Sequence, residues 1–163
     1  MARADTADEA AVQEIYRAHY GRLAGWATRL VGDPDIAHDL ATEAFVRLLS
    51  QFGGVTEPRA WLYTVTGNLV RDHWRKRGRE AEAYGRHEGG ADLDGFVDVT
   101  TRVTVREAVR SLPDRLRLCV MLYYFADLPV ATIAKQIDRA PGTVKRDLFE
   151  ARRLLAQLLE GDG

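Results

Sequence analysis

The 163-residue sequence contains a single cysteine, few prolines and no long apolar run. One cysteine excludes a disulfide within the chain, and no hydrophobic signal segment opens the sequence, so we expect a reducing, cytoplasmic setting. No run approaches the ~18 apolar residues of a membrane span, so we expect no membrane insertion. The cysteine, Cys119, stands within LRLCVMLYYF, which predicts a small buried hydrophobic side chain.

Excess positive charge is also missing. The net charge of −1 excludes nucleic-acid binding by the chain as a whole, so any such binding must use local patches. Residues 81–104 hold two basic and five acidic side chains, whereas residues 105–163 hold ten basic and eight acidic ones. The acidic segment therefore separates two parts of the chain that can each carry a basic patch.

Motifs for catalysis, metal binding and nucleotide binding are lacking as well. The four histidines are scattered and none belongs to HExxH, and no cysteine pair offers a zinc site. The glycine pairs at 53–54 and 89–90 lack the lysine and serine spacing of a phosphate loop. We therefore predict that the protein is not an enzyme and takes neither a metal nor a cofactor.

Helical periodicity runs through most of the chain, and no alternating pattern predicts a strand. Apolar spacing predicts a helix over 10–31, a second helix capped by Asp33-Pro34, and a third that begins near Pro58 after a glycine-containing loop, 51–58.

The C-terminal part has the layout of a helix-turn-helix. A short helix over 130–137, a turn that begins at Asp138 and a longer helix from Pro141 match that motif. Asp tolerates a left-handed backbone, which suits the turn, and proline suits the first position of a helix.

These patterns predict an all-α fold of two small helical domains, the C-terminal one containing the helix-turn-helix. We place the domains at 10–79 and 104–160. The segment between them, 80–103, is rich in Gly, Asp and Glu and is predicted to be a flexible acidic linker.

A helical wheel of the last helix gathers basic and aromatic groups on one outward face. Asp147 and Glu150 fall on a flank of that face. The pattern favours a helix that binds duplex DNA over a solvated surface helix with interspersed charges. The face comprises Gly142, Lys145, Arg146, Phe149 and Arg153.

The third helix carries a second patch, in which aromatic rings precede a cationic end. Aromatic rings stack on unpaired bases, and cations hold the phosphates of a single strand. The rings could instead belong to the core. The candidates are Trp61, Tyr63, Asn68, Arg71, Trp74, Arg75, Lys76 and Arg77.

Four stretches in order resemble the extracytoplasmic-function branch of the bacterial sigma-70 family. They read IYRAHYGRLAGWATRLVGD, DPDIAHDLATEAFVRLL, PRAWLYTVTGNLVRDHWRKRGR and LPDRLRLCVMLYYFADLPVATIAKQIDRAPGTVKRDLFEARRLL. The resemblance implies an alternative sigma factor that binds core RNA polymerase and directs promoter-specific initiation. Its region-2 domain would capture melted −10 DNA, and its region-4 domain would read the −35 duplex. An anti-sigma factor is a further expected partner.

The resemblance also assigns residues. The second helix would dock on the clamp of RNA polymerase through His38, Asp39, Thr42 and Glu43, although His38 replaces a usual acid and Thr42 a usual glutamine. The loop 51–58 would catch a flipped base. The −35 element would be read by Pro141, Gly142, Thr143, Lys145, Arg146, Phe149 and Arg153.

The chain departs from the family pattern within the last helix. The family commonly reads GTVKSRL, whereas here Arg146-Asp147 replaces Ser-Arg. An acid therefore stands where the family has a phosphate contact, and we expect an altered −35 preference or weaker phosphate binding.

Two other interpretations stay open at the sequence level. One is a helix-turn-helix transcription regulator with an N-terminal helical effector or dimerisation domain, although such a domain has no need of the basic and aromatic third helix. The other is a protein-interaction module with no direct role in DNA binding.

Overall fold

The computed structural model describes residues 6–83 and 104–161, with side chains up to residue 78 in the first range. All regular elements in these ranges are helical, which confirms the predicted all-α class. No helix in the described ranges is long and apolar enough to cross a membrane. The helices are α1 (Thr6–Val31), α2 (Pro34–Gln51), α3 (Pro58–Ala83), α4 (Val105–Ser111), α5 (Asp114–Val120), α6 (Val130–Gln136) and α7 (Pro141–Glu160).

The chain divides into two compact units, Met1–Arg71 and Asp72–Gly163. In the first unit α1 packs against α2. The predicted cap at the start of α2 is confirmed, because Asp33 Oδ1 accepts hydrogen bonds from the amides of Asp35 at 2.8 Å and Ile36 at 3.4 Å. The core between α1 and α2 includes Leu23, Trp26, Ala27, Leu30, Ala41, Ala44, Phe45 and Leu48.

α3 begins at Pro58, as the sequence predicts, but it continues to Ala83. The sequence predicts that the first domain ends at residue 79, near Gly78. The helix continues because the next residues, REAEA, are good helix formers and outweigh one glycine. The rest of the predicted linker, 84–103, lies outside the described residues, and the domain limits given above stay a prediction.

The second unit contains α4 to α7. A reciprocal pair of hydrogen bonds between Thr104 and Glu107 caps α4, and α5 continues as a π-helical turn over Met121–Phe125. Asp138 has a φ of 54°, which confirms the predicted left-handed residue between α6 and α7. Ala140 makes no side-chain cap, so the start of α7 depends on Pro141 in its first turn. Core side chains include Leu116, Leu122, Ile133, Val144 and Leu148.

Candidate nucleic-acid interface

α7 presents the basic and aromatic face that the wheel predicts. Val144, Leu148 and Ala151 are buried on one side of the helix. On the other side Phe149 is 65% exposed. Pro141, Gly142, Lys145, Arg146 and Arg153 are also exposed, and Thr143 is half-buried.

Two acids of α7, Asp147 and Glu150, lie against an arginine from another helix. Arg115, in the first turn of α5, places its Nε 3.4 Å from Asp147 Oδ1 and its NH2 nitrogen 3.5 Å from Glu150 Oε2. The side chain of Asp147 is 8% exposed, whereas that of Arg115 is 53% exposed. The wheel placed Asp147 on a flank, but the structure buries it against α5, so this carboxylate does not face a phosphate bound on the outward face.

Cys119 lies close to this ion pair. The pKa of its thiol is raised to about 11, because burial and, less strongly, the charge of Asp147 outweigh the opposing charges of Arg115 and Arg139. Cys119 is 1% exposed, as the sequence predicts for a buried hydrophobic residue. The thiol is therefore protonated and enclosed.

A further cation of α7 is hydrogen-bonded to an aromatic residue that was not among the residues predicted from the sequence. Arg152 donates a hydrogen bond to the Tyr124 hydroxyl at 2.8 Å, and both side chains are exposed. Neither this contact nor the one at Arg115 could be found from the wheel, since both join residues far apart in sequence.

The aromatic residues of α3 in the first unit differ in burial. Tyr63 is 4% exposed, its ring meets Trp26 edge to face at 5.1 Å, and the Arg59 guanidinium lies 4.9 Å from its centre. Burial also raises the pKa of its hydroxyl. Stacking of a base on Tyr63 would require the core to open, so the assignment of Tyr63 to the single-strand surface is corrected. Trp61, Asn68 and Arg71 are half-buried.

The continuation of α3 in the second unit carries the cationic end. Lys76 and Arg77 are exposed, and Arg75 pairs with Asp72 at 3.2 Å on the surface. Trp74 is half-buried, and the Arg117 guanidinium lies 5.4 Å from the centre of its ring. One face of this ring is therefore already occupied by a cation.

The candidate docking face on α2 is built partly from α1. His38 Nδ1 is hydrogen-bonded to the Tyr20 hydroxyl of α1, and the two rings meet edge to face. Burial raises the pKa of Tyr20, and the charge of Asp39 adds to that rise. Asp39 itself is exposed, and Glu43 pairs with Arg47 at 3.0 Å. The contact at His38 thus fixes one edge of the face.

An open apolar groove of about 310 Å³ runs beside this face, between α1 and α2. Thr42 is half-buried and belongs both to the docking face and to the lining of the groove. The groove, which exposes Tyr16 at 40% and Val46 at 59%, was not predicted from the sequence. It is lined by Glu9, Val12, Gln13, Tyr16, Thr42, Phe45, Val46 and Leu49.

Two family models match the chain. Residues 15–80 match sigma-70 region 2, and residues 102–155 match sigma-70 region 4. The first match contains α2 and most of α3, and the second contains the helix-turn-helix. Together they contain the candidate surfaces on α2, α3 and α7.

Curated relatives and a solved structure are similar along most of the chain. The probable ECF RNA polymerase sigma factor SigI of Mycobacterium tuberculosis is 34% identical over 87% of this chain and 53% of the relative. The ECF RNA polymerase sigma factor BldN of Streptomyces coelicolor is 31% identical over 91% of this chain and 57% of the relative. The chain thus spans little more than half the length of these two relatives.

The structure of the sigma factor RpoE in complex with the anti-sigma factor NepR from Bartonella quintana has a similar fold. The TM-score is 0.68 at 22% identity, and the match covers 93% of this chain and 98% of that one.

Proposed function

Because the chain belongs to the extracytoplasmic-function sigma factors of the sigma-70 family, we propose that it binds core RNA polymerase and directs promoter-specific initiation of transcription. The observation that carries the proposal is the outward face of α7. Its exposed cations and Phe149 are presented without opposing acids, because Asp147 and Glu150 lie against Arg115.

In this proposal α7 is the recognition helix of the helix-turn-helix and enters the major groove of the −35 duplex. Lys145, Arg146 and Arg153 contact phosphates or base edges, and Phe149 contacts the apolar edge of a base. Pro141, Gly142 and Thr143 bring the N-terminal end of the helix close to the DNA backbone.

The −10 element is bound along α3. Opening a duplex costs about 1.4 kcal/mol of stacking for each step, so opened DNA must be held. Base stacking on an aromatic side chain is worth about 1–3 kcal/mol, and a base caught by the loop 51–58 adds to this. Trp61 and Asn68 face the opened strand, while Arg71, Arg75, Lys76 and Arg77 hold its phosphates. Trp74 takes part through the portion of its side chain that remains exposed.

The surface of α2 is the polymerase-binding site in this proposal, with Asp39 as its central acid and Glu43 and Thr42 beside it. His38 positions the surface through its bond to Tyr20. Polymerase supplies all the chemistry, so the chain itself has no catalytic activity. The chain and polymerase meet in the cytoplasm. Two weak DNA contacts on one chain reinforce each other through effective concentration. The bound state of the similar RpoE structure supports an anti-sigma factor as a further partner.

Run-off transcription with purified core polymerase and a pool of genomic promoters tests this proposal. Initiation at specific start sites that requires the chain supports it. The alternative, a helix-turn-helix regulator, predicts binding to duplex DNA without polymerase and no chain-dependent initiation with it.

A further inference from the structure

We infer that Arg115 of α5 is a positioning residue for −35 recognition, which holds Asp147 and Glu150 of α7 away from DNA and offsets one of their two negative charges. The inference rests on the proposed function of α7. The inferred residue lies outside the helix-turn-helix. The basis of the inference is a network of two ion pairs, in which Arg115 contacts both Asp147 and Glu150.

The geometry gives Arg115 two tasks. Its Nε meets the buried carboxylate of Asp147, and its terminal nitrogen meets the half-buried carboxylate of Glu150 one turn further along α7. One guanidinium therefore contacts successive positions on the same side of the recognition helix. This contact restrains the rotation of α7 about its own axis and so sets which residues its outward face presents.

The charge balance explains why this contact matters for DNA. Asp147 is next to Arg146, and Glu150 is next to Phe149, so both acids flank groups proposed to touch DNA. Without Arg115 the pair of carboxylates would carry two negative charges beside the groups proposed to touch DNA. With Arg115 this cluster carries one.

Because the carboxylate of Asp147 is buried, water cannot easily replace Arg115 as its partner. Asp147 is 8% exposed in its side chain, and a buried carboxylate without a partner is costly. If Arg115 were neutral, Asp147 would turn toward water or toward cations of α7 that DNA requires.

The experiment uses the full chain with core polymerase and a promoter that the wild-type chain recognises in the genomic pool. The promoter concentration for half-maximal initiation is measured for Arg115→Gln, Arg115→Lys and the triple variant Arg115→Gln, Asp147→Asn, Glu150→Gln. Arg106→Gln, which removes an exposed cation from α4, is the matched control. Circular dichroism melting checks that each variant folds.

We expect Arg115→Gln to raise the half-maximal promoter concentration roughly fivefold, the effect of one unit charge at about 10 Å in an effective dielectric between those of water and a protein surface. The triple variant, whose cluster carries no charge, should need a promoter concentration no higher than the wild type needs. The lysine variant keeps the charge and should stay within about twofold of wild type. Arg106→Gln should stay within the same limit. A merely structural role predicts the opposite for the triple variant, which lacks both ion pairs of Arg115.

Two results would overturn the inference in a chain that folds: wild-type behaviour of Arg115→Gln, or a triple variant as impaired as Arg115→Gln. If Arg115→Gln does not fold, the double variant Asp147→Asn, Glu150→Gln provides the test. It removes both acids and frees Arg115, so the inference predicts a lower half-maximal promoter concentration. An unchanged or raised concentration refutes the inference. Failure of the wild-type chain to initiate would instead refute the proposed function, so the two failures are distinguishable.

Discussion

Asp147 and Arg115 form an ion pair at 3.4 Å between α7 and α5, and the carboxylate is almost fully buried. This contact explains how a helix that carries acids can still present a basic face. The sequence suggested that an acid at position 147 weakens phosphate binding. In the structure that acid belongs to the interior of the second unit, and the exposed groups around it are cations and Phe149.

Adjacent residues on α7 separate stability from recognition. Leu148 is 2% exposed and Phe149 is 65% exposed. We expect Leu148→Ala to lower the free energy of unfolding by about 2–5 kcal/mol, because it leaves a cavity. Phe149→Ala should change it by less than about 0.5 kcal/mol and yet weaken initiation. Urea unfolding and run-off transcription measure the two effects; similar stability losses in both variants would contradict the assignment.

Arg146→Ala is expected to weaken −35-dependent initiation and to leave polymerase binding unchanged. Arg146 is exposed on the outward face of α7, far in sequence from the α2 surface proposed to bind polymerase. One lost base or phosphate contact is worth about 1–3 kcal/mol. Co-elution with core polymerase and run-off transcription check both parts. Unchanged initiation would remove Arg146 from the recognition surface.

Trp61 and Tyr63 are expected to differ although both are aromatic residues of α3. Tyr63→Ala should cost about 3–5 kcal/mol of stability, because the ring fills the core beside Trp26. Trp61→Ala should instead reduce strand opening at the −10 element by at least about fivefold. Permanganate reactivity of unpaired thymines in the polymerase complex measures opening, and urea unfolding of both variants is the control. Equal strand opening by Trp61→Ala and wild type would contradict the stacking role.

Cys119 is expected to resist alkylation in the folded chain. With its pKa raised to about 11, roughly one thiol in three thousand is ionised near pH 7.5, and the side chain is enclosed as well. Iodoacetamide should therefore label the chain in urea but not in buffer. Labelling of the native chain at the rate of the unfolded one would show that Cys119 is accessible.

The cap of α4 predicts an acid-dependent loss of stability. The amide of Thr104 donates a hydrogen bond to Glu107 at 2.9 Å and holds the pKa of Glu107 below its ordinary value of 4.5. The unfolded carboxylate takes up its proton at higher pH than the folded one. The stabilisation is therefore complete above the unfolded pKa and is lost as the pH falls through the folded pKa.

Melting temperatures of wild type and Glu107→Gln, measured from about pH 7 to about pH 3, check this cap. The advantage of the wild type should shrink toward the acid end. A constant difference across that range would contradict the contribution of the charged form.

Local signals predicted more of this molecule than distant ones did. Asp33, Asp138 and Pro141 act on their own backbone, so the helix boundaries that they set were predictable from the sequence. Tyr63 and Trp61 could not be told apart, because the burial of Tyr63 depends on Trp26 in another helix. The contact of Arg115 with α7 could not be predicted either, since the periodicity of a sequence describes one helix at a time.

The central claim is that this chain directs promoter-specific initiation. Run-off transcription with core polymerase and a genomic promoter pool tests it most directly. Variants of the outward face of α7 that keep the buried Leu148, such as Arg146→Ala, are assayed in parallel. We predict discrete transcripts that require the wild-type chain and that fall when the outward face is altered. Duplex binding without polymerase, together with no chain-dependent transcript in its presence, would contradict the claim.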